Sequence, residues 1–511
     1  MKLAHSPLFE PVLWEGNSFK ILDELLLPEK IEYISVRDVP QALAAVREMR
    51  TRAFGQVLTF LYSGALIARN YKAKEPEPLR DQLAQMTQQF CAARATFDFK
   101  GLGDYYVKWF DDLPIGAHAG EWIVERARGL AGQIVKARQA RAKRTASILP
   151  NPARVLTHCN VSGELVAAAQ YCKEMGKEIS VIATETRPYL QGARLTAWEL
   201  ARAGVPISLI PDCAIAQVIA RGEVNAVVVG SDRCARNGDI INKVGTYPLA
   251  LMAKEYEIPF YVLIQEPGSL QRGSDVPIEE RPADELLIFQ GQSLIPEGGD
   301  KIKGRYPAFD VTPASLISSL IGFDNQFTPE SFRQKYQGES AATTGRRKGQ
   351  AKYLLVYGLP RRSDYSSLAS VLKAEQAHSM LVPEMRPELW GSQVVARQFL
   401  KHNVPTTMIS DNMMGTLFAQ GEIRRLYLFY SRLCDRGPSG ICGSLLAVRL
   451  ARLHSVPVEL LESEEESHAA TDRDVSTFLG QKVCPAGVSI YSIERELLPW
   501  GLFKDLRRSH K

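Results

Sequence analysis

Two polar clusters contain residue types that could carry out acid–base chemistry, and each follows a short apolar run. The first is THCN (157–160), in which Cys159 stands just before a segment with the apolar spacing of a helix. The second is GSDRCARNGDIINK (230–243), in which Asp232 follows a wholly apolar run. A helix N-terminus lowers the pKa of a thiol, and the surroundings of a carboxylate tune it for proton transfer. Cys159 and Asp232 are therefore candidate catalytic residues, while a buried structural cysteine and a solvated loop aspartate are the alternatives.

The elements predicted around these clusters form an α/β fold. From Pro150 onward, short apolar runs alternate with amphipathic helical segments, a pattern typical of a doubly wound and largely parallel sheet. Both clusters fall at the carboxyl ends of predicted strands, where such sheets bind their ligands. Residues 1–149 differ, because their apolar residues recur at helical spacing apart from a short extended stretch at 30–36. They predict a mainly helical N-terminal domain.

The sequence contains an internal repeat of the α/β pattern. Residues 384–422 align without a gap on residues 185–223 at a constant offset of 199, with 13 identities in 39 positions. Average composition would give roughly two or three identities, so two copies of one domain are expected. A polar segment without periodicity separates the copies and is typical of a linker. The expected organisation is a mainly helical N-terminal domain (1–149), a catalytic Rossmann-like α/β domain (150–336), a linker (337–352) and a second Rossmann-like α/β repeat (353–511).

The candidate chemical residues are missing from the second copy. At the offset of 199, Cys159 aligns with Gly358, Gln191 with Trp390, Asp232 with Ser431, Asn242 with Ile441 and Lys243 with Cys442. Side chains needed only for folding should recur in both copies. Their absence predicts that the chemistry belongs to the first copy and that the second is catalytically degenerate.

Composition and charge exclude several classes of protein. The 511 residues are 45% apolar, which is typical of globular proteins rather than disordered ones. Lys and Arg number 62 against 57 Asp and Glu, and the net charge of +5 is too dilute to indicate nucleic acid as a partner. The basic segments fit a solvated helix face, a linker and a tail; they are 136–144, 345–349 and 507–511.

Neither the membrane nor the secretory pathway is indicated. The longest nearly uncharged apolar run, at 57–68, is shorter than the roughly 20 residues that a membrane span needs. The N-terminus lacks the pattern of a secretory signal, and the eight cysteines are scattered without a C-x-x-C pair. We therefore expect a cytoplasmic protein with neither a zinc site nor a disulfide framework.

Several longer motifs resemble those of one enzyme family. They are ILDELLLPEKIEY (21–33), THCN (157–160), ETRPYLQGARLTAWEL (185–200), GSDRCARNGDIINKVGTY (230–247), IPFYVL (258–263), VPIEERPADEL (276–286) and PAFDVTP (307–313). Together they make residues 1–330 resemble the 5-methylthioribose-1-phosphate isomerase family. That family shares its fold with ribose-1,5-bisphosphate isomerase and with the regulatory subunits of translation initiation factor 2B.

The resemblance implies a set of site residues. It assigns Cys159 and Asp232 as the acid–base pair and implies substrate contacts at Arg52, Arg94, Gln191, Asn242 and Lys243. Three positions depart from the family pattern. The family's R-G-A-P-A-I-G loop begins here as RAFGQ (52–56), its R-P-T reads RAT (94–96), and Tyr306 replaces the Asn before PAFDVTP.

The activity that the resemblance implies is aldose–ketose isomerisation of a sugar 1-phosphate. The closest reaction is the conversion of 5-methylthioribose 1-phosphate to 5-methylthioribulose 1-phosphate in methionine salvage, with neither a metal nor a nucleotide cofactor. Two alternatives stay open: an isomerase of the ribose-1,5-bisphosphate type, and a non-catalytic regulatory or sugar-phosphate-sensing protein like the initiation factor 2B subunits. The family's enzymes form dimers through the α/β domain. The chain is therefore expected to be either a homodimer or a monomer in which the second repeat packs as an internal partner.

Overall fold

The structure is a computed structural model that describes residues 6–94, 97–295, 298, 301–338, 351–463, 472, 474–493 and 495–503. The basic segments 345–349 and 507–511 and most of the expected linker lie outside these residues. In the described part of the chain, no helix is both long enough and apolar enough to cross a membrane.

The N-terminal part is mainly helical, as predicted. It begins with an antiparallel sheet of three short strands, of which only the third lies in the expected extended stretch: β1 (Val12–Trp14), β2 (Phe19–Leu22) and β3 (Tyr33–Val36). Helices follow: α1 (Val39–Arg47), α2 (Phe54–Asn70), α3 (Glu77–Ala93), α4 (Phe99–Asp111) and α5 (Ala119–Ile148). Their shared core contains tilted and edge-on aromatic rings, among them Phe60, Phe90, Phe99 and Tyr106.

Helix α5 carries the basic segment 136–144, and its arginines are largely taken up by intramolecular contacts. Arg138 and Arg141 are buried, and both donate hydrogen bonds to the buried carboxylate of Glu164, with Arg138 Nε 2.8 Å from Oε1 and Arg141 Nε 2.7 Å from Oε2. Arg144 donates to backbone carbonyls of a neighbouring loop. The expectation of a solvated basic face is therefore wrong for these arginines, which join the helix to the α/β part of the chain.

The first α/β unit runs from β4 to α11. Its elements are β4 (Ala153–Thr157), α6 (Glu164–Glu174), β5 (Ile179–Thr184), α7 (Trp198–Arg202), β6 (Ile207–Ile210), α8 (Ile215–Ala220), β7 (Ala226–Val229), β8 (Arg233–Cys234), β9 (Ile240–Lys243), α9 (Thr246–Glu255), β10 (Phe260–Leu263), α10 (Asp284–Leu287), β11 (Ile288–Phe289), β12 (Gln292–Ser293), β13 (Lys303–Gly304), β14 (Phe309–Thr312), β15 (Ser319–Ile321), β16 (Gln326–Phe327) and α11 (Pro329–Lys335). Its main sheet has the order β16-β15-β10-β7-β4-β5-β6, parallel except for the β15–β16 pair. The central strand β7 is buried throughout, which explains its unbroken run of apolar residues.

The second α/β unit runs from β17 to β27. Its elements are β17 (Tyr353–Tyr357), α12 (Asp364–Ala374), β18 (Ser379–Pro383), α13 (Arg397–Lys401), β19 (Thr406–Ile409), α14 (Met414–Ala419), β20 (Ile423–Tyr430), β21 (Arg432–Cys434), β22 (Gly437–Ile441), α15 (Ser444–Leu453), β23 (Val458–Glu462), β24 (Thr477–Phe478), β25 (Gln481–Lys482), β26 (Ser489–Ile490) and β27 (Arg495–Leu497). Strands β19-β18-β17-β20-β23 form a second parallel sheet.

The two units exchange short edge strands. Strand β13 of the first unit pairs in parallel with β19 of the second sheet, and β26 of the second unit pairs in parallel with β6 of the first sheet. Strands of two residues carry no periodic pattern, so the sequence does not indicate this exchange. Each sheet is completed by the other unit.

The interface between the units is built from the repeated E-x-R-P motif. The Arg187 guanidinium binds the Glu384 carboxylate, with Nε 2.9 Å from Oε1, and the Arg386 guanidinium binds the Glu185 carboxylate, with Nε 3.0 Å from Oε1. All four side chains are at most 1% exposed. Helix α8 packs against α15 and α14 against α9, so the helix contacts are reciprocal as well. The two units thus pack against each other within one chain. The expectation that the second serves as an internal partner in place of another subunit stays a prediction.

The turns before α9 and α15 correct the sequence alignment. Gly245 and Gly443 both adopt the left-handed conformation that begins these helices, and they are 198 residues apart. The alignment at the offset of 199 is therefore one residue out of register at this point. The corrected partners are Gly440 for Asn242 and Ile441 for Lys243, and the polar pair is absent from the second unit in either register.

Candidate active site

Cys159 lies in the turn between β4 and α6, at the carboxyl edge of the first sheet. Its backbone has a φ of 66°, and its amide donates to Thr186 Oγ1 at 2.9 Å. The side chain is 9% exposed, and burial raises the pKa of the thiol to about 11, although the ammonium of Lys243 lowers it. The expected lowering of the pKa by the helix N-terminus is therefore outweighed by burial. The thiol holds its proton at neutral pH.

Asp232 follows β7 and is fixed by two backbone hydrogen bonds. Its amide donates to the Ile241 carbonyl at 2.9 Å, and its carbonyl accepts from Gln265 Nε2 at 2.6 Å. Burial raises the pKa of the carboxyl group, while the charges of Arg94 and Lys243 lower it. A carboxyl group in this position can hold a proton more readily than a solvated loop aspartate.

Three cations converge on this pair. Lys243 on β9 is 6% exposed and interacts electrostatically with both Cys159 and Asp232, and burial lowers the pKa of its ammonium. Arg94 follows α3 and interacts with Asp232, and burial lowers the pKa of its guanidinium. Arg52, in the turn before α2, is close enough to Cys159 to lower its pKa. The helical part and the first unit together form a positively charged site around a thiol and a carboxyl group.

Two buried polar atoms near these cations have no hydrogen-bond partner among the described residues. Glu24 accepts from the Arg52 backbone amide at 3.0 Å and from Nη1 at 3.3 Å, which leaves Arg52 Nε unpaired. Gln191, 6% exposed at the end of the loop after β5, has an unpaired Oε1. Buried polar groups normally have partners. The expected ligand contacts at Arg52 and Gln191 stay predictions, which these unpaired atoms support.

Asn242 differs from the other expected contacts. Its amide nitrogen donates to Thr246 Oγ1 at 2.9 Å. Neighbouring residues on a strand point to opposite faces, so Asn242 and Lys243 diverge on β9. The expected ligand contact at Asn242 stays a prediction.

A small pocket with a volume of about 10 Å³ opens beside Asp232. Its polar lining consists of Arg94, Asp232 and Arg233. The remaining lining is apolar and comprises Phe97, Ile241, Val276, Pro277, Ile278 and Phe309. The pocket thus combines a charged end with an apolar wall.

Sequence reasoning missed a hydrogen-bonded group on the other side of Lys243. The Tyr189 hydroxyl donates to Glu285, and Arg281 donates to Glu285 and, at 3.3 Å, to Tyr189. The Tyr189 ring lies 5.5 Å from Lys243 Nζ and 5.9 Å from the Arg52 guanidinium carbon. These residues belong to the motifs ETRPYLQG and VPIEERPADEL, whose dense charges were the available signal.

His158 is an uncharged residue that supports the site through hydrogen bonds to neighbouring segments. Its Nε2 lies 2.9 Å from the Val244 carbonyl and its Nδ1 lies 2.6 Å from Thr184 Oγ1. Since a carbonyl can only accept, Nε2 carries the proton and Nδ1 accepts from the threonine hydroxyl. Burial lowers the pKa of the imidazole to about 4. The neutral ring joins β4 to the turn after Lys243.

Across the described residues, the His, Cys, Asp and Glu side chains form no group of three or more that could hold a metal ion.

Known proteins match the part of the chain that contains the candidate site. The model of the "Initiation factor 2 subunit family" matches residues 57–322. The methylthioribose-1-phosphate isomerase of Anaeromyxobacter sp. (strain K) is 36% identical over 329 residues, covering 61% of this chain and 91% of that protein. The enzyme of the same name from Thermotoga neapolitana is 35% identical, covering 60% and 92%.

Solved structures resemble the same part. The crystal structure of 5-methylthioribose 1-phosphate isomerase from Pyrococcus horikoshii OT3 has a TM-score of 0.58 and 28% identity, and the match covers 66% of this chain and 99% of that one. The structure of translation initiation factor eIF-2B, subunit delta, from A. fulgidus has a TM-score of 0.55 and 30% identity, covering 64% and 99%.

Proposed function

The chain belongs to the initiation factor 2 subunit family, and from this premise we propose that it is an aldose–ketose isomerase of a sugar 1-phosphate. The proposed reaction converts 5-methylthioribose 1-phosphate to 5-methylthioribulose 1-phosphate, a step of methionine salvage. The proposed acid–base pair is Cys159 and Asp232, and the proposed substrate contacts are Arg52, Arg94, Gln191, Asn242 and Lys243.

The observation that carries the proposal is the convergence of three largely buried cations on a thiol and a carboxyl group. Buried cations are costly unless an anion neutralises them. A phosphate supplies that charge and several acceptor oxygens, for which Arg52 Nε is an unused donor. The site therefore suits an anionic sugar phosphate better than a neutral sugar.

The apolar wall of the pocket favours a substrate with a methylthio substituent. Six of its nine lining residues are apolar, including Phe97, Val276 and Phe309. A methylthio group can bury its apolar surface against this wall, whereas a second phosphate would have to lie at the end lined by Arg94 and Arg233. This favours 5-methylthioribose 1-phosphate over the ribose-1,5-bisphosphate type of substrate.

The proposed chemistry moves one hydrogen from C2 to C1. Cys159 first loses its thiol proton to solvent, a step that its raised pKa opposes. The protonated Asp232 then gives its proton to the ring oxygen as the bond between C1 and that oxygen breaks, and the Cys159 thiolate takes the proton from C2, leaving an enol with a C1–C2 double bond. Asp232 then removes the proton from the C2 hydroxyl while Cys159 returns its proton to C1. The product is a ketose that still carries phosphate on its C1 oxygen, and both residues end in their starting states.

A direct hydride shift from C2 to C1 is the alternative route. It requires no thiolate, and the raised pKa of Cys159 favours it on that point. Asp232 would exchange protons with the sugar oxygens in either route. The two routes therefore differ in the role of Cys159 alone.

The second unit is proposed to be a degenerate Rossmann-like repeat that serves as an internal partner. Where the first unit has Cys159 and Asp232, it has Gly358 and Ser431. The division into domains at 1–149, 150–336 and 353–511, monomeric assembly and a cytoplasmic location belong to the same proposal.

The test is turnover by the purified protein. The protein is incubated with 5-methylthioribose 1-phosphate and, separately, with ribose 1,5-bisphosphate, and ketose formation is followed with Cys159→Ala as the control. Ketose from the first substrate alone supports the proposal. Binding of either sugar phosphate without any ketose would favour the sensing protein.

A further inference from the structure

The loop from Glu185 to Gln191 connects the interface to the candidate site. The Thr186 and Arg187 amides each donate to the Asp212 carboxylate at 2.7 Å. The Thr186 hydroxyl oxygen accepts from the Cys159 amide at 2.9 Å. After Gln191 the chain turns sharply into a helix through Gly192, where a Cβ would lie 1.8 Å from the Thr184 carbonyl. A shift of this loop would therefore displace both Cys159 and Gln191.

The second unit holds the same loop through Asn412. This residue is 1% exposed, and its amide nitrogen donates to the Arg187 carbonyl at 2.9 Å. Its amide oxygen accepts from Ser410 Oγ at 2.6 Å, which fixes the orientation of the amide. Glu384 binds the guanidinium of the same arginine, with three N–O distances of 2.9 to 3.1 Å. Backbone and side chain of Arg187 are thus both held from the second unit.

Asn412 also lies against the other segment of the site. A Cβ on Gly245 would lie 2.9 Å from Asn412 Cβ and 2.7 Å from the His158 ring. Gly245 stands two residues after Lys243, in the turn whose Val244 carbonyl binds His158. One side chain of the second unit therefore lies against two of the segments that carry proposed site residues, the loop that ends at Gln191 and the turn after Lys243.

The mirrored position provides a natural control. Cys213 of the first unit occupies the place that Asn412 has in the second, and its thiol donates to the Arg386 carbonyl at 3.4 Å. That contact supports the loop 384–390 of the second unit, which lacks the acid–base pair. The interface thus contains two equivalent contacts. One supports a loop of the proposed site, and the other supports a loop that lacks the acid–base pair.

We propose that Asn412 is a positioning residue supplied by the second unit, which holds the Arg187 loop and the Gly245 turn in the geometry that the isomerase site requires. Only the kinetic test of this inference rests on the proposed function. The second unit would then position part of the site as well as bury an apolar face of the first unit. Small misplacement of reacting groups is enough to slow an enzyme strongly.

The test compares Asn412→Ala and Asn412→Asp with Cys213→Ala in the full chain. We expect both Asn412 variants to lower kcat/KM for 5-methylthioribose 1-phosphate by about tenfold, with kcat falling, while Cys213→Ala keeps the wild-type value. The aspartate keeps the size of asparagine but removes the donor. The ionised aspartate also places a charge against the Arg187 carbonyl, so the discriminating result is kcat: an unchanged kcat in Asn412→Ala, with only the unfolding midpoint in urea lowered, would indicate a purely packing role and overturn the proposal.

Amide hydrogen exchange provides a readout independent of turnover. Asn412→Ala should speed exchange in the peptide 185–191, and Cys213→Ala should speed it in the peptide 384–390. Equal exchange at 185–191 in both variants and wild type would contradict the inference. If the wild type forms no ketose while this exchange pattern appears, the proposed function fails and the positioning role stands.

Discussion

Cys159 and Asp232 are the residues on which the proposed chemistry depends. General acids and bases typically contribute about 10²–10⁴ in rate. We therefore expect Cys159→Ala and Asp232→Asn each to lower kcat by that factor, with an unfolding midpoint in urea close to that of the wild type. The matched control is Cys172→Ala, a buried cysteine of α6 distant from the site whose thiol faces the Ala146 carbonyl. Turnover close to wild type in either site variant would remove that residue from the mechanism.

The role of Cys159 is tested by the fate of the hydrogen at C2. With deuterium at C2 of the substrate and ordinary water as solvent, a proton taken up by the thiolate should exchange at least partly with water. We expect the ketose to contain less than one deuterium at C1 by mass spectrometry. Complete retention of the label, together with turnover by Cys159→Ala that still retains the label, would show that the hydrogen passes directly from C2 to C1. The hydride route would then replace the thiolate route.

His158 makes stability depend on pH in a defined direction. Its folded pKa of about 4 lies below the ordinary value of 6.5 for histidine, so the unfolded state binds a proton first as the pH falls. The stability from the neutral imidazole is complete above pH 6.5 and is lost as the pH falls toward 4, at a cost of about 3 kcal/mol. Relative to His158→Gln, the wild type should lose that free energy of unfolding between pH 7 and pH 4. Parallel pH dependence in the two proteins would contradict a buried neutral histidine.

At this scale the sequence predicted which residues come together but not their protonation. Cys159 and Asp232 converge because the carboxyl ends of β4 and β7 meet at one edge of the first sheet, whereas Arg94 comes from the end of α3 and Lys243 from β9, outside that sheet. The raised pKa of Cys159 depends on burial, a tertiary effect that a local motif does not contain. Tyr189 could not be assigned a role because its partners are distant in the chain.

Among the elements, α5 joins the helical part to the first unit through Glu164. Glu164→Ala would leave the buried guanidinium groups of Arg138 and Arg141 without a carboxylate. Removing one partner of a buried ion pair costs roughly 3–5 kcal/mol, so we expect a loss of that size in the free energy of unfolding measured with urea. Glu330→Ala is the control, because its ion pair with Arg333 lies at the surface. Equal effects of the two substitutions would contradict the structural role of α5.

The sequence predicted the larger elements well and the smallest ones poorly. The main strands and helices of the first unit follow apolar runs and helical periodicity, and α5 ends at Ile148, just before the prolines at 150 and 152. Strands β13 and β26 have two residues each, and their pairing depends on the approach of the other unit. The same holds for the arginines of α5, whose buried partners are invisible in a periodic basic pattern.

For the whole molecule, the reciprocal interface accounts for the internal repeat. The E-x-R-P motif recurs because each copy supplies both the glutamate and the arginine of a buried pair that crosses the interface. The repeat itself could be found by alignment. The geometry that joins the copies could not, since ion pairing between residues 197 positions apart leaves no local signal.

Removal of the second unit should change the association of the chain. A fragment ending at residue 338 would expose the faces of α8 and α9 and leave Arg187 without Glu384. We expect this fragment to self-associate into dimers or larger species by light scattering, whereas the full chain has the mass of a monomer. A soluble, monomeric fragment would contradict the account of the second unit as an internal partner.

The most direct test of the central claim is the formation of a ketose from 5-methylthioribose 1-phosphate. The purified full chain is incubated with this substrate, and the product is identified by NMR as 5-methylthioribulose 1-phosphate. We predict turnover by the wild type, and a rate at least a hundredfold lower for Cys159→Ala and Asp232→Asn. Unchanged substrate after incubation with a folded wild-type protein would contradict the assignment of an isomerase.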